Sequence, residues 1–277
     1  MDLGIFETTF PRPTPEAALD AVGALGLGTI QFDFVSAGLP SLPDAIPASL
    51  AERIGHAAAT RGIRIAAVSA TWNMIHPDPH VRERGLSSLR AIAGACAGLG
   101  ADAITLCTGT RDPDNMWRSH PDNATPQAWR DLRAALTDAL AIAAEFDVAL
   151  AFEPEPANVV ANAVLGARLL REVGDPRLMV VMDPANILAG ACERPPADAL
   201  DEAFALLGER VVVGHAKDLD AQGRFCAAGT GIVPWERCLA AFRQVGFAGS
   251  LILHSLNEEQ APIAVAYLRE RMAQAGL

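Results

Sequence analysis

Eight short β-rich runs alternate with eight amphipathic segments along the chain, and this alternation restricts the fold more than any other feature. The segments between the runs repeat apolar residues at helical spacing, so we predict a helix after each strand. Regular strand and helix alternation is typical of a parallel sheet covered by helices. The predicted strands lie at residues 3–6, 29–34, 63–70, 102–107, 148–153, 178–183, 211–215 and 250–254.

The helical segments complete the pattern. They lie at residues 15–25, 49–60, 81–99, 126–146, 159–173, 199–207, 235–245 and 259–273. Thr14 with Pro15 and Thr125 with Pro126 are typical of helix starts. Eight such repeats predict an α/β fold, the (β/α)8 TIM barrel, as a single domain over residues 1–277. A doubly wound sheet is the alternative, but it seldom has eight evenly spaced units, and no GxGxxG motif follows the first strand.

Composition narrows the class of protein and its partners. Hydrophobic residues make up 51% and charged residues 20%, which is ordinary for a globular chain. The formal net charge is −11 and no basic run could follow a phosphate backbone, so we expect no nucleic-acid partner. No apolar segment is long enough for a membrane span, and the first residues lack a signal-peptide pattern. Five scattered cysteines without a CxxC pair predict neither disulfides nor a cysteine zinc site, so we expect a cytoplasmic location.

Four polar side chains stand at the ends of the last four predicted strands. Glu153 closes VALAFE, Asp183 closes LMVVMD, His215 follows VVVG and His254 follows SLIL. Because the strands of a parallel barrel end on one face, we expect these four residues to converge. Two carboxylates and two imidazoles suit one divalent metal ion, with manganese expected ahead of magnesium, cobalt, iron or zinc. Each carboxylate taken alone could instead cap the helix that follows it.

With these residues in place, the chain resembles the xylose isomerase-like TIM barrel superfamily of sugar phosphate isomerases and epimerases. The resemblance covers nearly the whole length, and its most specific parts are FEPE (152–155), DPAN (183–186), HAKD (215–218) and GTGIVPW (229–235). It implies that Glu153, Asp183 and His215 hold one divalent metal. The family usually supplies a glutamate after strand eight, where this chain has His254.

This histidine bears on the reaction that the resemblance implies. The family's ketose epimerases use two metal-bound glutamates on opposite faces of the substrate, whereas moving a proton along one face needs a single base. A metal-bound imidazole is a poor base because its lone pair is occupied. We therefore expect a divalent-metal-dependent isomerase, ahead of an epimerase, acting on a small sugar or polyhydroxy acid through a metal-stabilised enediolate. Glu153 is the expected proton carrier, and Lys217, His254 and Glu258 are further candidates for catalysis.

Two other functions stay open. The same metal and enolate could end in loss of a β-hydroxyl, which would make the protein a dehydratase or lyase of a keto-sugar or cyclitol. A chain that has lost one metal ligand could also be a non-catalytic sugar-binding subunit. The family's three-zinc DNA-repair endonucleases are disfavoured, because they need a histidine where this chain has Asn186 and because the chain is acidic. Relatives are often dimers or tetramers, which leaves a homo-oligomer open.

Substrate contacts are predicted for six residues close to strand ends: Asn73, His76, Trp117, Glu155, Asn186 and Asp218. Alternation along a strand places Glu155 on the side of Glu153, and Lys217 on the side of His215. Asp218 could instead orient a ligand imidazole. His76 could equally be a surface residue, and Trp117 could pack its long loop down instead of sheltering a sugar.

A phosphate site is a weaker expectation. Gly229 and Gly231 could cradle a phosphate, because loops after strands seven and eight often do so in barrels, but a tight turn explains them as well. Only Lys217 and Arg224 add positive charge nearby. We therefore expect that the substrate need not be phosphorylated.

Overall fold

Eight parallel strands form a closed barrel in the computed structural model, which describes residues 1–191 and 194–277. The strands are β1 (Asp2–Phe6), β2 (Thr29–Phe32), β3 (Arg64–Ser69), β4 (Ala103–Cys107), β5 (Ala149–Glu153), β6 (Leu178–Met182), β7 (Val211–Ala216), β8 (Asp218–Leu219), β9 (Phe225–Cys226) and β10 (Ser250–Leu253). Strands β8 and β9 form a separate antiparallel pair, and β10 is the eighth barrel strand. Its parallel pairing with β1 closes the ring and confirms the predicted (β/α)8 barrel.

The eight predicted helices surround the barrel in the expected order, and one further helix, the sixth in chain order, was not predicted. They are α1 (Pro15–Ala24), α2 (Ala48–Thr60), α3 (Pro79–Leu99), α4 (Pro126–Phe146), α5 (Ala163–Val173), α6 (Pro184–Gly190), α7 (Pro196–Leu207), α8 (Trp235–Gln244) and α9 (Ala261–Ala275). The expected helix starts are confirmed, because the Thr14 and Thr125 hydroxyls accept hydrogen bonds from Ala17 N and Ala128 N.

Two elements have boundaries that differ from the predicted ones, and in each case a local hydrogen bond explains the difference. The second strand stops at Phe32, since Asp33 accepts a hydrogen bond from Val35 N at 2.9 Å and starts a short 3-10 turn. The fifth helix begins four residues later than predicted, at Ala163, where Asn162 caps the free N–H of Leu165 at 3.0 Å. These side-chain bonds satisfy backbone groups that a longer strand or helix would otherwise use.

The core has two parts, one between barrel and helices and one inside the barrel. The outer part contains the largest fully buried side chains, among them Trp235, Phe152 and Phe242. The inner part consists of small or β-branched residues such as Ala103, Val181 and Ile252. A narrow barrel is filled in this way by its own side chains, so chemistry must take place at its mouth.

The fold gives information about membrane spans and about the cysteines. In the ranges that the structure describes, no helix has the length and apolar character that crossing a membrane requires. Cys96, Cys107, Cys226 and Cys238 are free thiols, whereas Cys192 lies outside the described residues.

Candidate metal centre

The four side chains predicted as metal ligands meet at the carboxyl end of the barrel. Glu153 ends β5, Asp183 is the N-cap of α6 directly after β6, His215 lies near the end of β7, and His254 follows β10. Donor atoms of Asp183, His215 and His254 all lie within 4.8 Å of one another. Glu153 Oε2 lies 3.1 Å from His215 Nδ1. The structure thus brings the four residues together, although they are far apart in sequence.

Asp183 is held rigidly by the helix that it starts. Its Oδ1 accepts hydrogen bonds from the backbone N–H groups of Ala185 at 2.8 Å and Asn186 at 3.2 Å. Its Oδ2 lies 2.9 Å from Lys217 Nζ and 3.2 Å from His254 Nε2. Burial alone would raise the pKa of Asp183, but Lys217 and His254 outweigh burial and bring this pKa well below its usual range. Asp183 is therefore an anion with one oxygen fixed and the other facing the site.

Lys217 supplies the positive charge of the centre. Its ammonium is buried, with Nζ 2.9 Å from Asp183 Oδ2, 4.0 Å from Glu153 Oε1 and 4.1 Å from the centre of the Phe225 ring. Burial lowers the pKa of Lys217, but the carboxylates of Asp183 and Glu153 more than compensate and raise it above the ordinary value. Lys217 is the only lysine in the sequence. That isolation is a signal in the sequence which our motif-based prediction did not use.

His254 is a neutral imidazole beside the buried charges. Burial, reinforced by nearby His215 and Lys217, lowers the pKa of His254 to about 4 against the opposing effect of Asp183. Its ring centre lies 4.6 Å from that of His215. A neutral imidazole is the form that coordinates metal ions, so His254 suits this role at neutral pH.

The approach of Glu153 to His215 indicates whether the centre suits a bound cation. Glu153 Oε1 accepts a hydrogen bond from Asn186 Nδ2 at 2.6 Å. The 3.1 Å approach of Glu153 Oε2 to His215 Nδ1 lacks hydrogen-bond geometry, and this buried Nδ1 has no hydrogen-bond partner among the described residues. An unpaired polar atom in a buried position is costly. The set of two carboxylates and two imidazoles that includes this nitrogen suits a borderline divalent cation.

A cavity of about 310 Å³ opens above these residues. Its lining combines side chains from both halves of the barrel: Phe6, Gln31, Asp33, Ser41, Ser69, Thr71, Thr105, Leu106, Cys107, Trp117, Glu153, Glu155, His215 and His254. Trp117 and Glu155, two of the residues predicted to contact substrate, therefore line this cavity. Burial, together with the charge of Glu153, raises the pKa of Glu155 to about 8, and Asn158 Nδ2 donates to its Oε2 at 3.2 Å.

Three other predicted substrate contacts are placed elsewhere. Asn73 and His76 line a neighbouring cavity of about 400 Å³, where Asn73 Oδ1 accepts from Thr110 N and His76 Nε2 lies 3.0 Å from Pro113 O. Asp218 faces its own loop. Its oxygens accept hydrogen bonds from Leu219 N, Gly229 N, Val233 N and Trp235 Nε1.

Two further candidates occupy different surroundings. Asn186 contacts Glu153 and so belongs to the centre. Glu258, considered as an acid or base, forms an exposed ion pair with Arg12. The carboxylate of Glu258 is thus occupied outside the cluster of four.

Buried polar residues in the first half of the barrel were missed by sequence reasoning. Gln31 lies within the apolar run of β2 and is 1% exposed. Glu7 follows β1 and is equally buried; its Oε1 accepts from Asp33 N and Ser36 Oγ, each at 2.8 Å. The available signal was a polar residue inside or next to a strand that is otherwise apolar.

Replacement of Glu7 by glutamine is expected to remove a pH-dependent loss of stability. Burial raises the pKa of Glu7 from 4.5 to about 8, so in this interval the folded protein keeps a proton that the unfolded chain releases. Stability contributed by Glu7 is complete below the unfolded pKa and falls as pH rises through the folded pKa. Glutamine imitates the protonated acid. The free energy of unfolding of the variant should therefore match that of the parent near pH 4.5 and exceed it by roughly a few kcal/mol near pH 8.

Urea unfolding of both proteins between pH 4.5 and 8.5 measures this difference. The exposed acid Glu52 offers a matched control, since Glu52→Gln should leave the pH slope unchanged. Parallel slopes for the parent and Glu7→Gln would show that Glu7 is ionised in the folded protein.

The fold and the site together define a class of protein, namely a closed (β/α)8 barrel with carboxylates and imidazoles gathered at its mouth. Within this class the chain belongs to the xylose isomerase-like TIM barrel family, whose sequence profile matches residues 19–271. The predicted resemblance is therefore confirmed at the level of the family.

Individual relatives are more distant. L-ribulose-5-phosphate 3-epimerase UlaE of Escherichia coli strain K12 is 24% identical, covering 99% of this chain and 96% of that protein. The crystal structure of the IOLI protein with a binding zinc atom has a TM-score of 0.76 at 15% identity, covering 99% of each chain. D-psicose 3-epimerase with D-tagatose from Clostridium cellulolyticum H10 has a TM-score of 0.72 at 15% identity, covering 98% of this chain and 99% of that one.

Proposed function

We propose that this protein is a divalent-metal-dependent isomerase or epimerase of a small sugar. The observation that carries the proposal is the convergence of Glu153, Asp183, His215 and His254 beneath a cavity of about 310 Å³. The names of UlaE and D-psicose 3-epimerase support the reaction type, and the zinc in the IOLI structure supports a metal. For this chain we propose manganese as the ion and the cytoplasm as its location.

The side chains of the centre divide the work of moving a proton. The four residues would hold a divalent cation, which would supply the Lewis acidity that acidifies a carbon-bound proton next to a carbonyl. Glu153 takes this proton, because it lines the cavity and its Oε1 is fixed by Asn186 Nδ2 at 2.6 Å. The buried ammonium of Lys217 stabilises the negative charge that develops as the enediolate forms. Glu153 then returns the proton to the neighbouring carbon, while the hydroxyl proton of the carbon that lost its hydrogen passes to the former carbonyl oxygen.

The position of the acidic side chains favours isomerisation over epimerisation. Glu153 ends β5 and Glu155 follows two residues later, so both carboxyl groups come from one side of the cavity. Strand β10 is followed by His254 and not by a carboxylate, and the other acid that lines the cavity, Asp33, already accepts hydrogen bonds from Val35 N and Ser41 Oγ. A proton moved between adjacent carbons on one face needs only one such wall, which is the geometry of aldose–ketose isomerisation.

The charge of the cavity supports a substrate without phosphate. Among the described residues that line it are the carboxylates Asp33, Glu153 and Glu155, but neither lysine nor arginine. The glycine turn after β7 is also occupied, since Gly229 N donates to Asp218 Oδ2 at 3.0 Å and Val233 N donates to Oδ1 at 2.8 Å. Asp218 thus takes the place that a phosphate would need in that loop.

Deuterium exchange with paired sugars tests this function. The manganese-loaded protein is incubated in heavy water with ketoses and aldoses, each with and without a terminal phosphate. We expect deuterium in an unphosphorylated sugar, no exchange after chelation, and a kcat/KM at least about tenfold lower for the phosphate, or 1.4 kcal/mol. Exchange that survives chelation would refute the metal-dependent reaction. A preference for phosphorylated sugars would refute only the proposed substrate class, and loss of water from the product would identify a dehydratase.

A further inference from the structure

Gln31 links the candidate metal centre to the opposite side of the barrel. Its Oε1 lies 2.9 Å from Nε2 of His215, which belongs to β7. Its own Nε2 donates to Ser69 Oγ on β3 at 3.0 Å and to Thr105 Oγ1 on β4 at 2.8 Å. All four side chains are buried. The amide of Gln31 is therefore fixed on both sides by groups from three other strands.

This network determines which nitrogen of His215 carries a hydrogen. An amide NH2 group has two hydrogens, and both are directed to hydroxyl oxygens, so the amide oxygen is the atom that faces His215. An amide oxygen can only accept, so Nε2 of His215 must donate. A neutral imidazole has one N–H, so the lone pair lies on Nδ1.

The free Nδ1 lies beside Glu153. It is buried, has no hydrogen-bond partner among the described residues, and lies 3.1 Å from Glu153 Oε2. Two electron-rich atoms at this distance repel each other unless a positive charge joins them. The atom that Gln31 leaves without a hydrogen is thus the atom that lies next to the proposed ligand Glu153.

We propose that Gln31 is a positioning residue that holds His215 as the Nε2–H tautomer and so presents Nδ1 as a ligand to a divalent cation. This inference rests on the metal centre of the proposed function. Gln31 is not one of the four proposed ligands, and its effect on the cation passes through His215. Partners of this kind typically change metal affinity 10- to 100-fold when they are lost.

Nitrogen-15 NMR of protein labelled at histidine tests the tautomer directly, without metal or sugar, at a pH where His215 is neutral. Long-range proton–nitrogen correlations should show Nε2–H in the parent protein and in Gln31→Glu, which keeps an accepting oxygen. They should show a tautomer mixture or Nδ1–H in Gln31→Leu. Gln244→Leu makes the same change on the exposed face of α8 and should match the parent.

Titration with Mn²⁺ by calorimetry provides the second measurement. We expect about 10- to 100-fold weaker binding to Gln31→Leu and binding within about threefold of the parent for Gln244→Leu. If Gln31→Leu does not fold, the Ser69→Ala/Thr105→Ala double variant releases the amide of Gln31 and should show the same change of tautomer.

The outcomes separate this inference from the proposed function. Nδ1–H in the parent protein, or an unchanged tautomer and unchanged Mn²⁺ affinity in Gln31→Leu, would overturn the role of Gln31 even if the protein isomerises sugars. The expected tautomers in a protein that binds no metal would support the effect of Gln31 on His215. They would overturn the proposal that this tautomer serves metal binding, and the proposed function with it.

Discussion

Glu153→Gln is expected to lower turnover about 10²- to 10⁴-fold while the barrel remains folded, the range typical of a lost general base. Glutamine has nearly the same shape, and its Oε1 can still accept the hydrogen bond from Asn186 Nδ2 that fixes the parent side chain. An amide cannot take up a proton from carbon, however. The loss should therefore appear in the rate of proton transfer more than in structure.

Deuterium incorporation under single-turnover conditions, combined with the metal content of the same sample, measures this effect. Glu52→Gln changes an exposed acid of α2 and should exchange at the parent rate. Exchange by Glu153→Gln at the parent rate, with metal bound, would assign the base to another residue.

Lys217→Met should be the most destabilising single change at the centre. The partner of Lys217 is the buried carboxylate of Asp183, 2.9 Å away and 1% exposed. Breaking a buried ion pair leaves an uncompensated charge and typically costs about 3–5 kcal/mol. For a chain of this size such a loss corresponds to a fall in Tm on the order of 10 °C.

The same ion pair predicts how the variant responds to metal. A divalent cation neutralises the carboxylates that Lys217 otherwise balances, so Mn²⁺ should raise the Tm of Lys217→Met more than that of the parent. Scanning calorimetry with and without Mn²⁺ measures both effects, and Arg130→Met, which removes an exposed charge on α4, is the control. An unchanged Tm in Lys217→Met would mean that Asp183 does not depend on the ammonium.

The fold could be predicted from the sequence because burial leaves a regular pattern. Each barrel strand is short, apolar and followed by a helix with its own period, so strand positions agree with the structure to within about two residues. Helix α6 was not predicted, since its seven residues are too few to show a period and it is defined by the Asp183 cap. The β8–β9 pair was also missed, because two-residue strands carry no pattern.

The candidate site could be predicted only where topology alone places a residue. The ends of β5, β6, β7 and β10 must meet in a closed barrel, which is why Glu153, Asp183, His215 and His254 could be named from spacing. The direction of a loop side chain depends on tertiary contacts instead, and Asn73 turns toward Thr110 N. Gln31 was missed because its meaning comes from partners on three other strands, none of them near it in sequence.

The most direct test of the account is an anomalous diffraction map from crystals soaked in Mn²⁺, recorded near the manganese absorption edge. The account predicts one strong peak with Glu153, Asp183, His215 Nδ1 and His254 at coordination distance, about 2.0–2.3 Å. A map without a peak between these residues, with Lys217 still paired to Asp183 at saturating Mn²⁺, would contradict it.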